Sequence, residues 1–130
     1  MKEIYDFLKE CKVYYLATVD GNLPKVRPFG TAEIFEDKLY IQTGREKSVF
    51  KQIEKNPKVE LCAFKDGRWL RLSGVLKRDG RVEAKKDMLD KNPDLRAMYD
   101  ENDNNTEVLY FESGIATISS FTEEPIIINI

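Results

Sequence analysis

Apolar residues recur at Ile4, Tyr5, Phe7 and Leu8 with helical spacing, which predicts a short amphipathic helix opening the chain and ending near Cys11. From Val13 the period changes. VYYLATV, residues 13–19, is β-branched and aromatic on both alternating faces and predicts a strand. DGNLP then makes a turn, and VRPFGTAEIF, residues 26–35, reads as one long second strand. Pro28 lacks the amide proton that a ladder needs, so this part of the strand belongs at an edge, a bulge or a ligand. A turn at Glu36 and Asp37 leads into KLYIQT, a third strand that Gly44 breaks. KSVFKQIEKN, residues 47–56, carries Val49, Phe50 and Ile53 on one face and predicts a helix stopped by Pro57.

VELCAF and WLRLSGVLK flank Asp66 and Gly67, a dipeptide that tolerates positive φ and marks a tight hairpin between strands four and five. Residues 81–99 return to a helical pattern through Ala84, Met88, Leu89, Leu95 and Met98, and Asn92 and Pro93 divide it into two short helices. DENDNNT is a polar loop without the spacing of a calcium site. VLYF, a break near Gly114, IATISSF and PIIINI complete an extended C-terminal portion. Gly74, inside strand five, marks a bulge or a close backbone approach. Three hairpin-like pairings with only short helices predict a mainly β, α+β fold: an antiparallel barrel with helices packed outside it.

The chain has 130 residues, which fits a single domain (1–130) that removes roughly two-thirds of its unfolded surface from water. With 21 basic and 23 acidic side chains its net charge is −2, which argues against the basic excess of a nucleic-acid binder. No apolar run reaches the ~18 residues of a membrane span, and the charged start MKEIYDFLKE does not read as a signal sequence, so a cytoplasmic address is expected. Cys11 and Cys62 are far apart and suggest neither a redox pair nor a zinc cluster. Histidine is absent altogether, which removes imidazole bases, imidazole metal ligands and every triad built on them. Chemistry performed by such a chain is most simply that of a bound organic cofactor, with no metal.

The junction TGREKS, residues 43–48, carries the candidate chemistry. Thr43 followed by Glu46 has capping-box spacing and predicts a helix N-terminus, whose free amides and dipole favour an anion. Arg45 and Lys47 are cations where the dipole disfavours them, an arrangement more intelligible with an anion between them. Arg27, from the preceding strand, adds a planar fork suited to phosphate oxygens. The same residues also fit ordinary solvated surface charge in a chain that is 34% charged.

The succession of a helix, LATVDGNLPKVRPFG, KLYIQTGREKSVFKQIEKNPKVELC, DGRWLRLSGVL and GIATISSF resembles the pyridoxamine 5′-phosphate oxidase-like, FMN-binding split-barrel family over nearly the whole chain. The resemblance implies a six-stranded antiparallel split β-barrel that pairs as a homodimer, with FMN at the subunit interface. Carried over by position, Arg27, Lys47, Ser48 and Arg45 are implied to hold the FMN phosphate. The backbone of Pro28, Phe29 and Gly30 is implied to run beside the isoalloxazine, with Gln42 and Thr43 touching the cofactor. Trp69 and Arg71 alternate onto the face opposite Leu70, Leu72 and Leu76. They are candidates to reach the partner's cofactor, or else a dimer-core aromatic and an interface ion-pair partner. The implied activity is that of an FMN-dependent oxidoreductase. A non-catalytic flavin-binding or sensor protein and an F420-dependent reductase are the alternatives. The chain lacks the C-terminal arginine and histidine with which the family's vitamin B6 oxidases hold their substrate, so the resemblance covers the cofactor and leaves the substrate open.

Overall fold

The computed structural model describes residues 1–130. The opening helix α1 (Lys2–Cys11) buries Ile4, Phe7 and Leu8, the stripe that its spacing demands. β1 (Tyr14–Asp20) and β2 (Leu23–Phe29) form the first hairpin, in register from Asp20 opposite Leu23 to Tyr14 opposite Phe29. β3 (Glu33–Phe35) and β4 (Lys38–Gly44) form the second, around Glu36 and Asp37, both with positive φ. α2 (Ser48–Lys55) precedes β5 (Lys58–Lys65) and β6 (Arg68–Asp79), which pair across the Asp66–Gly67 turn. α3 (Val82–Lys91) and a 3-10 helix (Pro93–Ala97) follow, then β7 (Thr106–Ser120) and β8 (Ile126–Asn129).

The sheet runs β2-β1-β5-β6-β7-β4-β3, with every pairing antiparallel and β8 added alongside β7. This is the expected mainly β, split-barrel α+β class. The strand count reaches eight for two reasons. PIIINI contributes a short strand of its own, and VRPFGTAEIF is not one strand. Its halves pair at opposite ends of the sheet, β2 with β1 and β3 with β4, and Gly30, Thr31 and Ala32 cross between them. β2 is thereby an edge strand, which accommodates Pro28.

Thr31 holds the crossing in place. Its hydroxyl oxygen accepts the Gln42 amide at 3.0 Å from β4, and its carbonyl accepts the buried Tyr14 hydroxyl at 2.7 Å from β1. Glu33, just beyond, is buried and receives the Tyr5 hydroxyl, the Lys9 ammonium at 2.7 Å and the Asn92 amide at 3.1 Å. One carboxylate therefore ties α1 and the end of α3 to the sheet.

α1 and α2 cover the inner face of the sheet, where Leu16, Leu61, Leu70, Leu72 and Ile118 form the core with Ile4, Leu8 and Phe50. Each such side chain contributes about 1.5–3 kcal/mol by leaving water. β4 is buried on both faces. Leu39 and Ile41 join the main core, while Tyr40 packs with Val108 against Ala84 and Met88 of α3. This double burial explains the apolar run in KLYIQT.

No break occurs at Gly114, and β7 runs unbroken through fifteen residues. The irregularity is instead a bulge, since Val75 faces Ser113 and Leu76 faces Phe111, with Glu112 left over. Gly74 lies opposite Gly114, and a Cβ on it would clash with the Ser113 carbonyl and sit 2.8 Å from Phe111. Gly74→Ala is accordingly expected to cost about 1–3 kcal/mol of stability, measured by urea denaturation. A loss of only a few tenths would show that the strands are free to move apart.

Candidate functional site

The gap bridged by Thr31 opens into a cleft of about 420 Å³, wide enough for a flat organic ligand. One wall is Pro28, Phe29, Gly30 and Thr31 with Gln42, Thr43 and Lys47. The opposite wall is Asn92, Asp94, Leu95, Met98 and Tyr99, from the end of α3 and the 3-10 segment. Beside it lies a more open, polar depression lined by Asp20, Lys25, Arg27, Glu46, Lys47, Ser48 and Gln52. Lys47 borders both spaces. The two spaces thus adjoin at Lys47, and the cations of the second stand beside the first.

The cationic end is built on α2. The expected capping box does not form, because Thr43 still belongs to β4 and the helix starts at Ser48. Lys47, extended at φ −73° and ψ 145°, takes the N-cap position, and no side chain caps the helix. The first-turn amides consequently lack side-chain acceptors, which leaves the anion-attracting end of the helix open.

Arg27 is half-buried and held from below. Its guanidinium donates to the Thr18 hydroxyl at 2.7 Å, the Leu16 carbonyl at 3.2 Å and the Gln52 side-chain oxygen at 2.7 Å. Thr18 in turn donates to the same Gln52 oxygen at 2.6 Å. Burial draws the Arg27 guanidinium below its ordinary pKa, yet an arginine starts so high that it stays charged. Three hydrogen bonds leave part of its five-donor fork free for a ligand.

Most of the residues nominated from sequence meet in this site: Arg27, Pro28, Phe29, Gly30, Gln42, Thr43, Lys47 and Ser48. Phe29 is braced by Tyr14, their ring centroids 5.9 Å apart, and the Gln42 and Thr43 side chains are buried where the cleft meets the sheet. Arg45 is placed elsewhere. It donates to Glu107 at 3.1 Å, a fully buried carboxylate that also receives Arg78 at 2.9 Å and lies 3.8 Å from the Lys85 ammonium. Of the two cations at the helix start, only Lys47 remains beside the site.

Trp69 and Arg71 also lie apart, in a shallow depression on the outer face of the sheet with Glu60, Ser73, Ile115, Thr117 and Ser119. The alternation that opposes them to Leu70 and Leu72 is present. Arg71 pairs with Glu60 at 2.9 Å, and Trp69 packs on Phe121 with centroids 5.0 Å apart. The sequence reading missed Thr18 and Gln52, although signals existed. Thr18 is a buried polar residue on the face of β1 that carries Tyr14 and Leu16, and Gln52 lies one helical turn beyond Ser48. The opposite wall, from Asn92 to Tyr99, carried no local signal.

The Thr18 hydroxyl is buried between two partners, so Thr18→Val is expected to cost about 1–3 kcal/mol in chemical denaturation by leaving polar groups unsatisfied. Thr18→Ser should restore most of it. Equal stability of the valine variant would remove Thr18 as the support of Arg27.

Among known proteins, the family model for pyridoxamine 5′-phosphate oxidase matches residues 1–111. A solved structure described as a NimC/NimA family protein from Clostridium acetobutylicum is 44% identical, with a TM-score of 0.97 over 100% of this chain and 92% of that one. A protein related to general stress protein 26, also from Clostridium acetobutylicum, shares the fold at 16% identity. Its TM-score is 0.77 over 99% of this chain and 93% of its own. A heme binding protein from Mycobacterium smegmatis does so at 12% identity and a TM-score of 0.77, over 97% of this chain and 56% of its own. No curated protein matched the sequence.

Proposed function

The chain belongs to the pyridoxamine 5′-phosphate oxidase family, and from that membership and the geometry of its cleft we propose that it is an FMN-dependent oxidoreductase acting as a homodimer. The observation that carries this reading is the pairing of an uncapped helix start, Arg27 and Lys47 with an adjoining cleft walled by backbone and small polar groups. A phosphate fits the first part. Ser48 and the first amides of α2 supply hydrogen bonds, and Arg27 and Lys47 supply charge. A flat ring system fits the second, along Pro28, Phe29 and Gly30, where Gln42 and Thr43 bring polar groups. Bound FMN would supply hydride transfer at its ring. The protein's own part is to hold the phosphate, orient the ring and keep water from one side of it.

FMN suits the site better than F420. The cations lining the depression, Lys25, Arg27 and Lys47, share it with Asp20 and Glu46, a balance suited to one phosphate rather than to a longer anionic tail. The reading takes residues 1–130 as one FMN-binding domain and retains the cytoplasmic address, and no helix is long and apolar enough to cross a membrane.

The outer face of the sheet supports the homodimer. Tyr15, Cys62, Arg71, Thr117 and Ile127 stand side by side across it by register, flanked by Val26, Phe64 and Ile115. Phe64 and Ile127 are each about two-thirds exposed and Phe121 is 88% exposed. Exposed aromatic and aliphatic side chains clustered in this way, around the polar Glu60, Arg71, Ser73 and Thr117, fit an interaction surface. In the proposed dimer Trp69 and Arg71 lie at the interface, within reach of the partner's site.

FMN added to the purified protein is expected to quench its own fluorescence and raise the melting temperature, as a ligand bound only to the native state must. Lys47→Gln should weaken FMN about tenfold or more, the loss of one charge-assisted hydrogen bond, while Lys55→Gln leaves it unchanged. Equal effects of the two would refute the phosphate assignment. Mass spectrometry of any co-purified chromophore separates FMN from F420. Light scattering at micromolar concentration is expected to give twice the 15.1 kDa chain mass, and a strictly monomeric species would sink the shared-site arrangement.

A further inference from the structure

The cleft has two walls of unlike chemistry, and the proposed cofactor accounts for only one of them. The wall from Asn92 to Tyr99 is tied to the sheet. Asn92 donates to Glu33 at 3.1 Å and to the Met88 carbonyl at 3.0 Å. The Tyr99 hydroxyl lies so close to Gly44 that a Cβ there would be 3.1 Å from it. The wall is therefore a fitted surface of the site rather than a loose flap.

Asn92 and Asp94 offer it acceptors, and the Tyr99 hydroxyl can accept or donate. Both amide protons of Asn92 are engaged, so the group it has left to offer is its side-chain carbonyl oxygen. Asp94 makes no hydrogen bond or ion pair, although cations flank it in the chain. Lys91 is committed to Asp87 at 2.8 Å and to the Ile34 carbonyl, and Arg96 to Asp90 at 2.6 Å and Glu101 at 2.8 Å. Asp94, exposed in the first turn of the 3-10 helix, thus presents a negative charge without an ion-pair partner at the cleft, while the positive charge that also lines it, Lys47, belongs to the phosphate end. Between the acceptors stand Leu95 and Met98, the latter 72% exposed, an adaptable apolar surface with nothing over it.

We infer that this wall binds the second reactant, the substrate or electron donor, and that Asp94 selects one with a cationic, N–H-rich head on a flat apolar body. The inference rests on the flavin reading above for the role of the first wall. Asp94 acts as a specificity-determining residue. It attracts a protonated amine or amidine, repels a carboxylate, and leaves neutral compounds of the same shape to the apolar surface alone.

Benzamidine, benzamide and benzoate, three probes of one shape and graded charge, test this on the FMN-loaded protein. Binding is read from the flavin absorbance and from the amide NMR shifts of residues 92–99. Benzamidine is expected to bind most tightly and benzoate most weakly. Asp94→Asn should weaken benzamidine about fivefold, the scale of one partly exposed ion pair, and leave benzamide and FMN affinities unchanged. Equal affinity for the three probes, preference for benzoate, or a preference for benzamidine that survives Asp94→Asn would overturn the proposal. Failure of FMN itself to bind would show separately, in the absorbance. The amide shifts of the flavin-free protein with benzamidine, against those of Asp94→Asn, would then decide the selectivity of the wall by themselves.

Discussion

A strongly curled antiparallel sheet must either ladder its two edges together or fix the distance between them, because unpaired amides and carbonyls otherwise seek another strand. This chain fixes the distance with three residues. Gly30, Thr31 and Ala32 carry the backbone from one edge of the sheet to the other, and the two hydrogen bonds of Thr31 set how far apart β1 and β4 stand. Such bonds contribute only about 1 kcal/mol each, but leaving the buried Tyr14 hydroxyl or the Gln42 amide unpaired would cost more. The cleft is what remains between edges held in this way, and its floor and one wall are the crossing itself.

Around that gap the cations divide into two kinds. Arg45, Arg78 and Lys85 surround a carboxylate with no access to water, and their charge is absorbed in anchoring β7 to its neighbours. Arg27 and Lys47 face open space, and Arg27 is steered there by Thr18 and Gln52. Charge that is needed for packing is consumed by packing, and only the surplus can meet a ligand. A count of cations near the helix start does not distinguish the two kinds.

This marks the extent to which the site was legible in the sequence. Periodicity located α1, β1, β4, α2 and the β5–β6 hairpin, since each of these elements buries one clear stripe or turns on a dipeptide with a steric reason. It failed at VRPFGTAEIF, where alternation continues through a change of pairing partner that no local pattern encodes, and at Thr43–Glu46, where spacing suited a cap that a buried strand end pre-empts. The cationic end could be nominated because Arg27 and Lys47 sit in neighbouring elements. Asp94 could not, because its place in the cleft depends on α3 docking against β4 through Met88 and Tyr40 and on Asn92 reaching Glu33.

β7 adds a consequence for how the molecule is held together. It is hydrogen-bonded to β6 along nearly its full length, to β4 over its first residues and to β8 over its last. β7 thereby ties Gln42 and Thr43 of the cleft to the outer face of the sheet through one continuous ladder. The 3-10 segment is attached differently, by a few side-chain bonds, and has no ladder to break. Asp94 is thus carried on a wall that stands outside this ladder and is held to the sheet by side chains, Asn92 on Glu33 and Tyr99 against Gly44.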